Sequence, residues 1–232
     1  MKDNERLNRT IKEIASKYNI ETGESEFCKF TKIKYVRYVT GNRHVFKISD
    51  YLVKAPDDVL EAYVETMITN IFRKNKYYPS KVMDWLLSDE FLISCRPIRL
   101  QRSKNISGNT VGKARDLGES LDRLMDMGLV EESDLDGAYY TWTSRPNYRK
   151  VGECDILFRT VTISCALDSE KVPEKVLDYV VYHETVHLRR GYRPGEAAHG
   201  RKFKELENLY PDGKWCNDFI SRNLRKKMNK AD

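Results

Sequence analysis

The chain has 232 residues, with 41 Lys and Arg against 35 Asp and Glu, which gives a formal net charge of +6. Hydrophobic residues make up 40% and charged residues 33%, a balance that suits a folded globular protein and excludes wholesale disorder. No apolar run approaches the roughly 20 residues needed to cross a bilayer, and the charged N-terminal stretch lacks the apolar centre of a signal peptide. We therefore expect a cytoplasmic protein with no membrane association.

The five cysteines, at positions 28, 95, 154, 165 and 216, are widely spaced and never form a CxxC pair. This pattern excludes a zinc ribbon and does not support a disulfide framework. We predict reduced, mostly buried thiols. A nucleophilic role for Cys154 would need a histidine base, and a metal site explains the well-placed histidines better.

The predicted elements of the first half alternate between helix and strand. Apolar residues at helical spacing and prolines at helix starts predict three helices, and two β-rich runs joined at Gly41-Asn42 predict a hairpin. In chain order we expect a helix at 4–18, hairpin strands within 29–40 and 43–49, helices beginning at 56 and 79, and a strand at 91–95.

A polar segment rich in Ser, Asn and Gly, at 101–113, predicts a linker or an exposed loop. Beyond it we expect a helix from 117, strands within 137–144 and 154–164, and helices at 173–190, 199–209 and 215–228. Antiparallel strands mixed among helices predict an α+β fold. The division would fall between an N-terminal α+β part at 1–105 and a second part at 106–232, unless the two form one continuous domain.

Three of the four histidines fall within seventeen residues, and two of them frame the HExxH motif from His183 to His187. On a helix, positions i and i+4 lie on one face, so both imidazoles can reach a single metal ion. Glu184 projects beside the metal, where it can take a proton from a bound water. Apolar residues before the motif and Gly191 after it predict a helix that ends shortly beyond His187.

A catalytic zinc takes three protein ligands and leaves one position for water, so a third ligand is needed. His199 lies 12 residues after His187, across a turn-rich segment. Glu205, Glu207 and Glu196 are the other candidates. We favour His199 because histidine is the commoner zinc ligand and the rarer residue in this chain.

The stretch LDYVVYHETVHL, followed by HGRKF at 199–203, resembles the SprT-like and YgjP-like zinc metallopeptidases, which pair HExxH with a downstream His-Gly-x-x-Phe. Trp-Thr-Ser at 142–144 and the run VTISCAL are similar to the two strands that precede the motif helix in those families. The resemblance covers about residues 138–215 and is loose elsewhere, although the hairpin and the helix after it are similar in layout to the families' N-terminal half.

The resemblance implies that residues 106–232 form a zincin-like metallopeptidase domain, in which antiparallel strands pack against the HExxH helix. It also implies that a strand within 151–165 borders the cleft and can pair with an extended peptide. Thr185 stands where these families carry an aliphatic residue.

The function that the resemblance implies is zinc-dependent hydrolysis of peptide bonds in a protein or peptide substrate, through a metal-activated water. One zinc ion per chain would be held by His183, His187 and His199, with Glu184 as the general base. The oxyanion would need a further donor. The sequence does not select among the four nearby tyrosines, which are Tyr139, Tyr140, Tyr182 and Tyr192.

Two alternatives stay open. The basic tail at 220–230 and the net charge permit a metal-containing module that binds nucleic acid without catalysis, and the motif also permits a hydrolase of non-peptide amides. The segment from Gly108 to Ala114 has too few residues between its glycines for a phosphate-binding loop, and alanine follows its lysine. We expect His44, which is distant in sequence from the other histidines, to bind no metal.

Overall fold

The computed structural model describes residues 2–73 and 77–224. It combines α-helices with two three-stranded sheets, as predicted for an α+β protein. The chain divides into two compact units, of which the first ends at Arg102 and the second begins at Ser103. No helix in the described part of the chain is both long and apolar enough to cross a lipid bilayer.

The first unit packs helices against one sheet. Its helices are α1 (Lys2–Ser16), α2 (Asp57–Thr69), α3 (Ser80–Leu86) and α4 (Asp89–Arg102), and its strands are β1 (Glu26–Cys28), β2 (Tyr35–Thr40) and β3 (Arg43–Ser49). Strands β2 and β3 pair antiparallel around Gly41-Asn42, which confirms the predicted hairpin, and β1 pairs parallel with β3. The order β1-β3-β2 leaves β2 at an edge of the sheet.

The apolar run at 91–95 was predicted to be a strand, and this prediction is wrong because the run lies inside α4. Phe91, Leu92 and Cys95 are buried, and their spacing of one and four residues places them on one side of a helix. The side chain of Ser88 accepts a hydrogen bond from the Phe91 N–H at 3.3 Å, which supports the start of the helix. A short apolar run by itself does not distinguish a strand from a buried helical turn.

The second unit surrounds one long helix with a sheet and shorter helices. Its elements are α5 (Leu117–Asp126), α6 (Glu132–Leu135), β4 (Tyr139–Trp142), β5 (Gly152–Asp155), β6 (Thr160–Ile163), α7 (Glu174–Arg190), α8 (Arg201–Glu207) and α9 (Gly213–Phe219). Strands β5 and β6 pair antiparallel, but β4 and β6 pair parallel, in the order β4-β6-β5. The sheet is therefore mixed, not antiparallel as predicted.

The run at 154–164, which was predicted to be one strand, contains the end of β5, a turn and all of β6. The turn includes Arg159, whose φ of 42° lies in the left-handed region. No Gly, Asn or Pro signals this turn in the sequence, so the pattern suggested a continuous strand. The last predicted helix, at 215–228, is described as α9 followed by a π-helical turn at Ile220–Leu224, and its remainder lies outside the described residues.

Helix α7 lies at the centre of the core of the second unit. Its buried side includes Val176, Leu177, Val180 and Val181, which pack with Val161 of β6 and with other apolar residues of the unit. The buried carboxylate of Asp178 on the same helix accepts hydrogen bonds from Ser120 and Arg123 of α5. These contacts hold the helix that carries the HExxH motif in a fixed position against the sheet.

Candidate metal centre

Helix α7 begins and ends where the sequence predicts. Pro173 precedes its first residue, Glu174, where proline fits because the first turn needs no backbone donor. Gly191 ends it with a φ of 60°, a left-handed conformation that glycine adopts without strain. The motif from His183 to His187 therefore occupies the last two turns of a well-formed helix.

His183 and His187 project from one face of α7, and the chain returns to bring His199 beside them. One possible ligand atom from each of the three residues lies within 4.8 Å of the others. The Nε2 atoms of His187 and His199 are 3.0 Å apart. Nitrogens bound to one tetrahedral zinc at about 2.0–2.1 Å would be about 3.3 Å apart, so this pair lies close to the spacing that a metal requires. The three histidines are thus close enough to bind a metal ion.

Phe203, in the first turn of α8, supports all three imidazoles. Its ring is fully buried, and its centroid lies 4.9 Å from that of His183, 4.4 Å from that of His187 and 4.7 Å from that of His199. Contacts at these distances restrict the rotation of each imidazole. The phenyl ring therefore holds the three histidines near one another.

Glu207 lies behind His183 and does not join the three possible ligands. Its Oε1 atom is 2.7 Å from Nδ1 of His183 and accepts a second hydrogen bond from the Tyr179 hydroxyl at 2.8 Å. Because Nδ1 of His183 donates to this carboxylate, Nε2 is the nitrogen left for a metal. The other acidic candidates form ion pairs elsewhere, Glu205 with Arg201 and Glu196 with Arg190.

Burial keeps two of the imidazoles neutral. It lowers the pKa of His183, although the carboxylate of Glu207 opposes this effect. Burial, with the nearby imidazoles adding to it, lowers the pKa of His187 to about 4. Both rings are therefore uncharged at neutral pH, and the neutral imidazole is the form that binds metal.

Glu184 is buried with its carboxylate against strand β5. Burial raises the pKa of this carboxyl group to about 8; the charge of Lys150 opposes the shift and that of Glu153 adds to it. The close approach depends on Gly152, because a Cβ atom at that position would lie only 2.4 Å from Oε1 of Glu184. A residue with a side chain there would displace the carboxylate.

The three histidines and Glu184 line one cavity of about 430 Å³. Strand β5 forms part of its wall through Gly152, Glu153 and Cys154. Within the described ranges β5 pairs only with β6, so the other edge of the strand has no strand partner. The volume lies in the range of small-molecule and peptide side-chain pockets, about 300–1,000 Å³.

None of the four tyrosines considered as oxyanion donors lines this cavity. The hydroxyls of Tyr139 and Tyr182 donate to the carbonyl oxygens of Gly108 and Leu206, and that of Tyr140 lies 2.8 Å from Oγ1 of Thr185. Tyr192 lines an adjacent cavity that also includes His187. The cavity wall instead includes the polar side chains of Arg149, Lys150, Asn217 and Tyr179, and the Tyr179 hydroxyl already donates to Glu207.

The remaining sequence signals do not contribute to the centre. All five cysteines are free, as predicted, although only Cys95 and Cys216 are fully buried. Cys154 borders the cavity, but burial and the neighbouring charge of Glu184 raise the pKa of its thiol, so it is not an activated nucleophile. His44 lies on β3 and is not part of the group of possible ligands.

The segment from Gly108 to Ala114, which was rejected as a phosphate-binding loop, lies against the carboxylate of Asp168. The backbone N–H groups of Lys113, Ala114 and Arg115 donate to the carboxylate of Asp168 at 2.6, 2.8 and 3.0 Å. A Cβ atom at Gly112 would lie 2.6 Å from this carboxylate. The three donors are therefore already used, which agrees with the rejection of a phosphate site here.

The structure thus brings the sequence-predicted residues His183, His187, His199 and Glu184 together around one cavity. The contributions of Glu207 to His183, of Phe203 to the rings and of Gly152 to Glu184 were not identified from the sequence. Phe203 had a signal, since it ends the His-Gly-x-x-Phe pattern. Glu207 was considered only as a possible third ligand, and Gly152 had no signal. Comparison of the chain with models of protein families, with curated proteins and with solved structures finds no match.

Proposed function

We propose that this protein is a zinc-dependent metallopeptidase with a zincin-like catalytic unit. One observation carries the proposal: the imidazoles of His183, His187 and His199 meet in one cavity with the buried carboxylate of Glu184. Two helical ligands with an adjacent glutamate and a third ligand from a later segment are the parts that a water-activating zinc site needs.

The donor set fits zinc. His183, His187 and His199 would hold the ion through ring nitrogens, two of them on imidazoles that are neutral at neutral pH. A zinc ion bound there supplies a Lewis acid that lowers the pKa of a water molecule and polarises a carbonyl group. In the described part of the chain no fourth His, Cys, Asp or Glu joins the group, and this favours a catalytic site over a structural site with four protein ligands.

Glu184 is suited to move the proton. Burial makes its carboxylate more basic than that of an exposed glutamate, and the charge of Lys150 opposes this rise in pKa only in part. The charge of a zinc ion bound beside it would add to that of Lys150 in favouring the ionised form, which accepts a proton. The carboxylate would take a proton from the attacking water and give it to the nitrogen of the departing amine as the C–N bond breaks. Its position beside His183 places it within the same cavity as the ligands.

Strand β5 would align the substrate. It borders the cavity and has an edge without a strand partner among the described residues, so an extended peptide can add to it through backbone hydrogen bonds. This edge favours a peptide over a non-peptide amide, which offers no row of backbone groups. A non-catalytic metal module is disfavoured because the site has three protein ligands, and because these ligands line an open cavity that can admit a substrate.

Substitution of Glu184 by Gln tests the proposal. We expect zinc to remain near one equivalent per chain by elemental analysis, while hydrolysis of a mixed peptide library falls by at least about 100-fold, the size of a general-base contribution. Glu170→Gln is the matched control, since Glu170 is exposed and forms no ion pair with the described residues. Undiminished hydrolysis in the Glu184 variant would refute the mechanism.

A second pair of variants tests the ligand set. His199→Ala should lower the zinc content of the purified protein, whereas Glu205→Ala should not, because Glu205 is exposed and pairs with Arg201. Full zinc content in the His199 variant would contradict the proposed centre. Zinc binding without cleavage of any peptide would contradict the proposed reaction.

A further inference from the structure

A second cavity lies beside the one that holds the three histidines. It has a volume of about 210 Å³ and shares three lining residues, Ile156, His187 and Ala198, with the larger cavity. Because His187 borders both spaces, a peptide held with its scissile bond at the three histidines can place a neighbouring side chain in the smaller cavity. We refer to this cavity, which is also lined by residues 190–193 and 196–197, as the side pocket.

The side pocket is formed by the end of α7 and the loop that follows it. Arg190, whose side chain is only 11% exposed, pairs with Glu196 of the loop, and its Nη1 atom donates to the carbonyl oxygen of Ala198 at 3.4 Å. The N–H of Glu196 donates to the carbonyl oxygen of Arg193 at 3.3 Å. These contacts hold the loop in a defined position beside His187.

The acidic residues that line the two cavities are neutralised by cations of their own. Besides the proposed general base, the acids in these linings within the described part of the chain are Glu153 and Glu196. Glu153 pairs with Lys150 at 2.9 Å, and Glu196 pairs with Arg190. Neither acid therefore offers a free negative charge to a basic side chain of a substrate.

Two arginines of the same linings carry positive charge without a carboxylate partner among the described residues. Arg149 lines the larger cavity and Arg193 lines the side pocket. The Nε atom of Arg193 donates to the carbonyl oxygen of Arg190 at 3.0 Å, which restrains the guanidinium group and leaves its two terminal nitrogens available. Two such nitrogens can bind a carboxylate through parallel hydrogen bonds.

We propose that the protein prefers peptides with an acidic residue next to the scissile bond, whose carboxylate binds Arg193 in the side pocket. Arg149 would bind a second carboxylate along the larger cavity. A basic side chain is disfavoured in the side pocket because it would lie against an unpaired positive charge. The inference rests on the proposed function, since it names the substrate class of the same centre.

Mapping of cleavage sites in a mixed peptide library tests the substrate class. Mass spectrometry of the products identifies the residues on either side of each cleaved bond. We expect Asp and Glu to be enriched at least about fivefold at one of these positions. Cleavage without this enrichment would overturn the specificity and leave the peptidase activity standing, whereas a zinc-loaded protein that cleaves no library peptide would contradict the proposed function and this inference with it.

Binding to the Glu184→Gln variant separates recognition from hydrolysis. The probes are fluorescein-labelled peptides of about ten residues, built from alanine with one central glutamate, glutamine or lysine, and fluorescence anisotropy gives their affinities. The glutamate peptide should bind at least about tenfold more tightly than the glutamine peptide, and this preference should weaken between about 50 and 300 mM salt. Adding Arg193→Gln should reduce the preference to about twofold, and adding Arg193→Glu should reverse it in favour of the lysine peptide.

A matched control separates the side pocket from general charge. Arg145→Gln removes the same charge from an exposed arginine that precedes Arg149 in the chain and lines neither cavity, and it should leave the affinities within about twofold. All variants should keep the zinc content and the thermal midpoint of the parent, so that a lost preference is distinct from a damaged fold. An equal loss in the Arg145 variant would overturn the proposal. So would a preference that persists in the Arg193→Gln variant, because the carboxylate would then bind elsewhere, for example at the metal.

Discussion

The Nδ1 atom of His183 lies 2.7 Å from Oε1 of Glu207, a residue that follows it by 24 positions. The carboxylate selects the tautomer of the imidazole and leaves its Nε2 atom available to a metal. Tyr179 donates to the same oxygen, and Asn217 in turn donates to the Tyr179 hydroxyl. Glu207, the last residue of α8, thereby connects this helix with the HExxH helix and, through Tyr179 and Asn217, with α9.

The substitution Glu207→Ala should weaken zinc binding, because the imidazole of His183 loses the partner that orients it. Removal of such a partner typically costs about 10–100-fold in metal affinity. Competition with a chromogenic chelator measures the effect, and Glu205→Ala, at the exposed neighbour on the same helix, is the control. Unchanged affinity in the Glu207 variant would show that the hydrogen bond does not orient the ligand.

The substitution Gly152→Ala should slow peptide hydrolysis without removing zinc. Its Cβ atom would lie 2.4 Å from the Glu184 carboxylate, which must move away from its position in the cavity. We expect kcat to fall by about tenfold or more, since a small misplacement of a catalytic group can cost about 100-fold. Cys154→Ala on the same strand, which removes atoms instead of adding them, serves as the comparison, and equal rates in the two variants would contradict the prediction.

The ion pair between Asp134 and Arg189 should make stability depend on acid pH. Burial raises the pKa of Asp134, but the hydrogen bonds from Arg189 and from the Glu131 N–H outweigh it, and the net pKa is lowered. A carboxyl group whose pKa is lower in the folded than in the unfolded protein stabilises the fold. This stabilisation is complete above the pKa of the unfolded state, about 3.9, and is lost as the pH falls through the pKa of the folded state. Asp134→Asn should therefore destabilise the protein at pH 7, by about 3 kcal/mol, and much less in strong acid.

Urea unfolding of the parent and of Asp134→Asn between pH 2.5 and 7 measures this difference. The gap between the two unfolding free energies should narrow as the pH decreases below about 4, because the parent carboxylate then becomes neutral as well. A gap that stays constant over the whole range would mean that Arg189 does not distinguish the ionised from the neutral form of Asp134.

The carboxylate of Asp168 should contribute substantially to the stability of the second unit. It accepts three backbone hydrogen bonds, from Lys113, Ala114 and Arg115, and its removal leaves these donors without their acceptor. Bonds to charged groups contribute about 1.5–3 kcal/mol each, but water can replace part of them at this exposed loop. We expect Asp168→Ala to lower the free energy of unfolding by about 2–3 kcal/mol in urea titrations, with an unchanged m-value. The control Glu170→Ala should change the free energy of unfolding by about zero.

Local patterns predicted much of the framework. The helix from Glu174 to Arg190, the hairpin around Gly41-Asn42 and the approach of His199 to the motif all agree with the expectations from spacing and from residue type. The helix and hairpin signals depend on residues close in sequence, and His199 was favoured because histidine is rare in this chain and is a common zinc ligand, so all three can be read without the fold. The wrong prediction at 91–95 arose because a short, mostly apolar run suits either a strand or a buried turn of helix.

The sequence by itself determined that two imidazoles share one face of a helix with a carboxylate beside them, because the HExxH spacing matches the helical period. Only the tertiary structure decided how those side chains are held. Gly152 and Glu207 act on Glu184 and His183 from 32 and 24 residues away, through contacts made when a strand and a later helix pack against α7. Such contacts follow from packing between distant segments, and no periodicity along the chain records them.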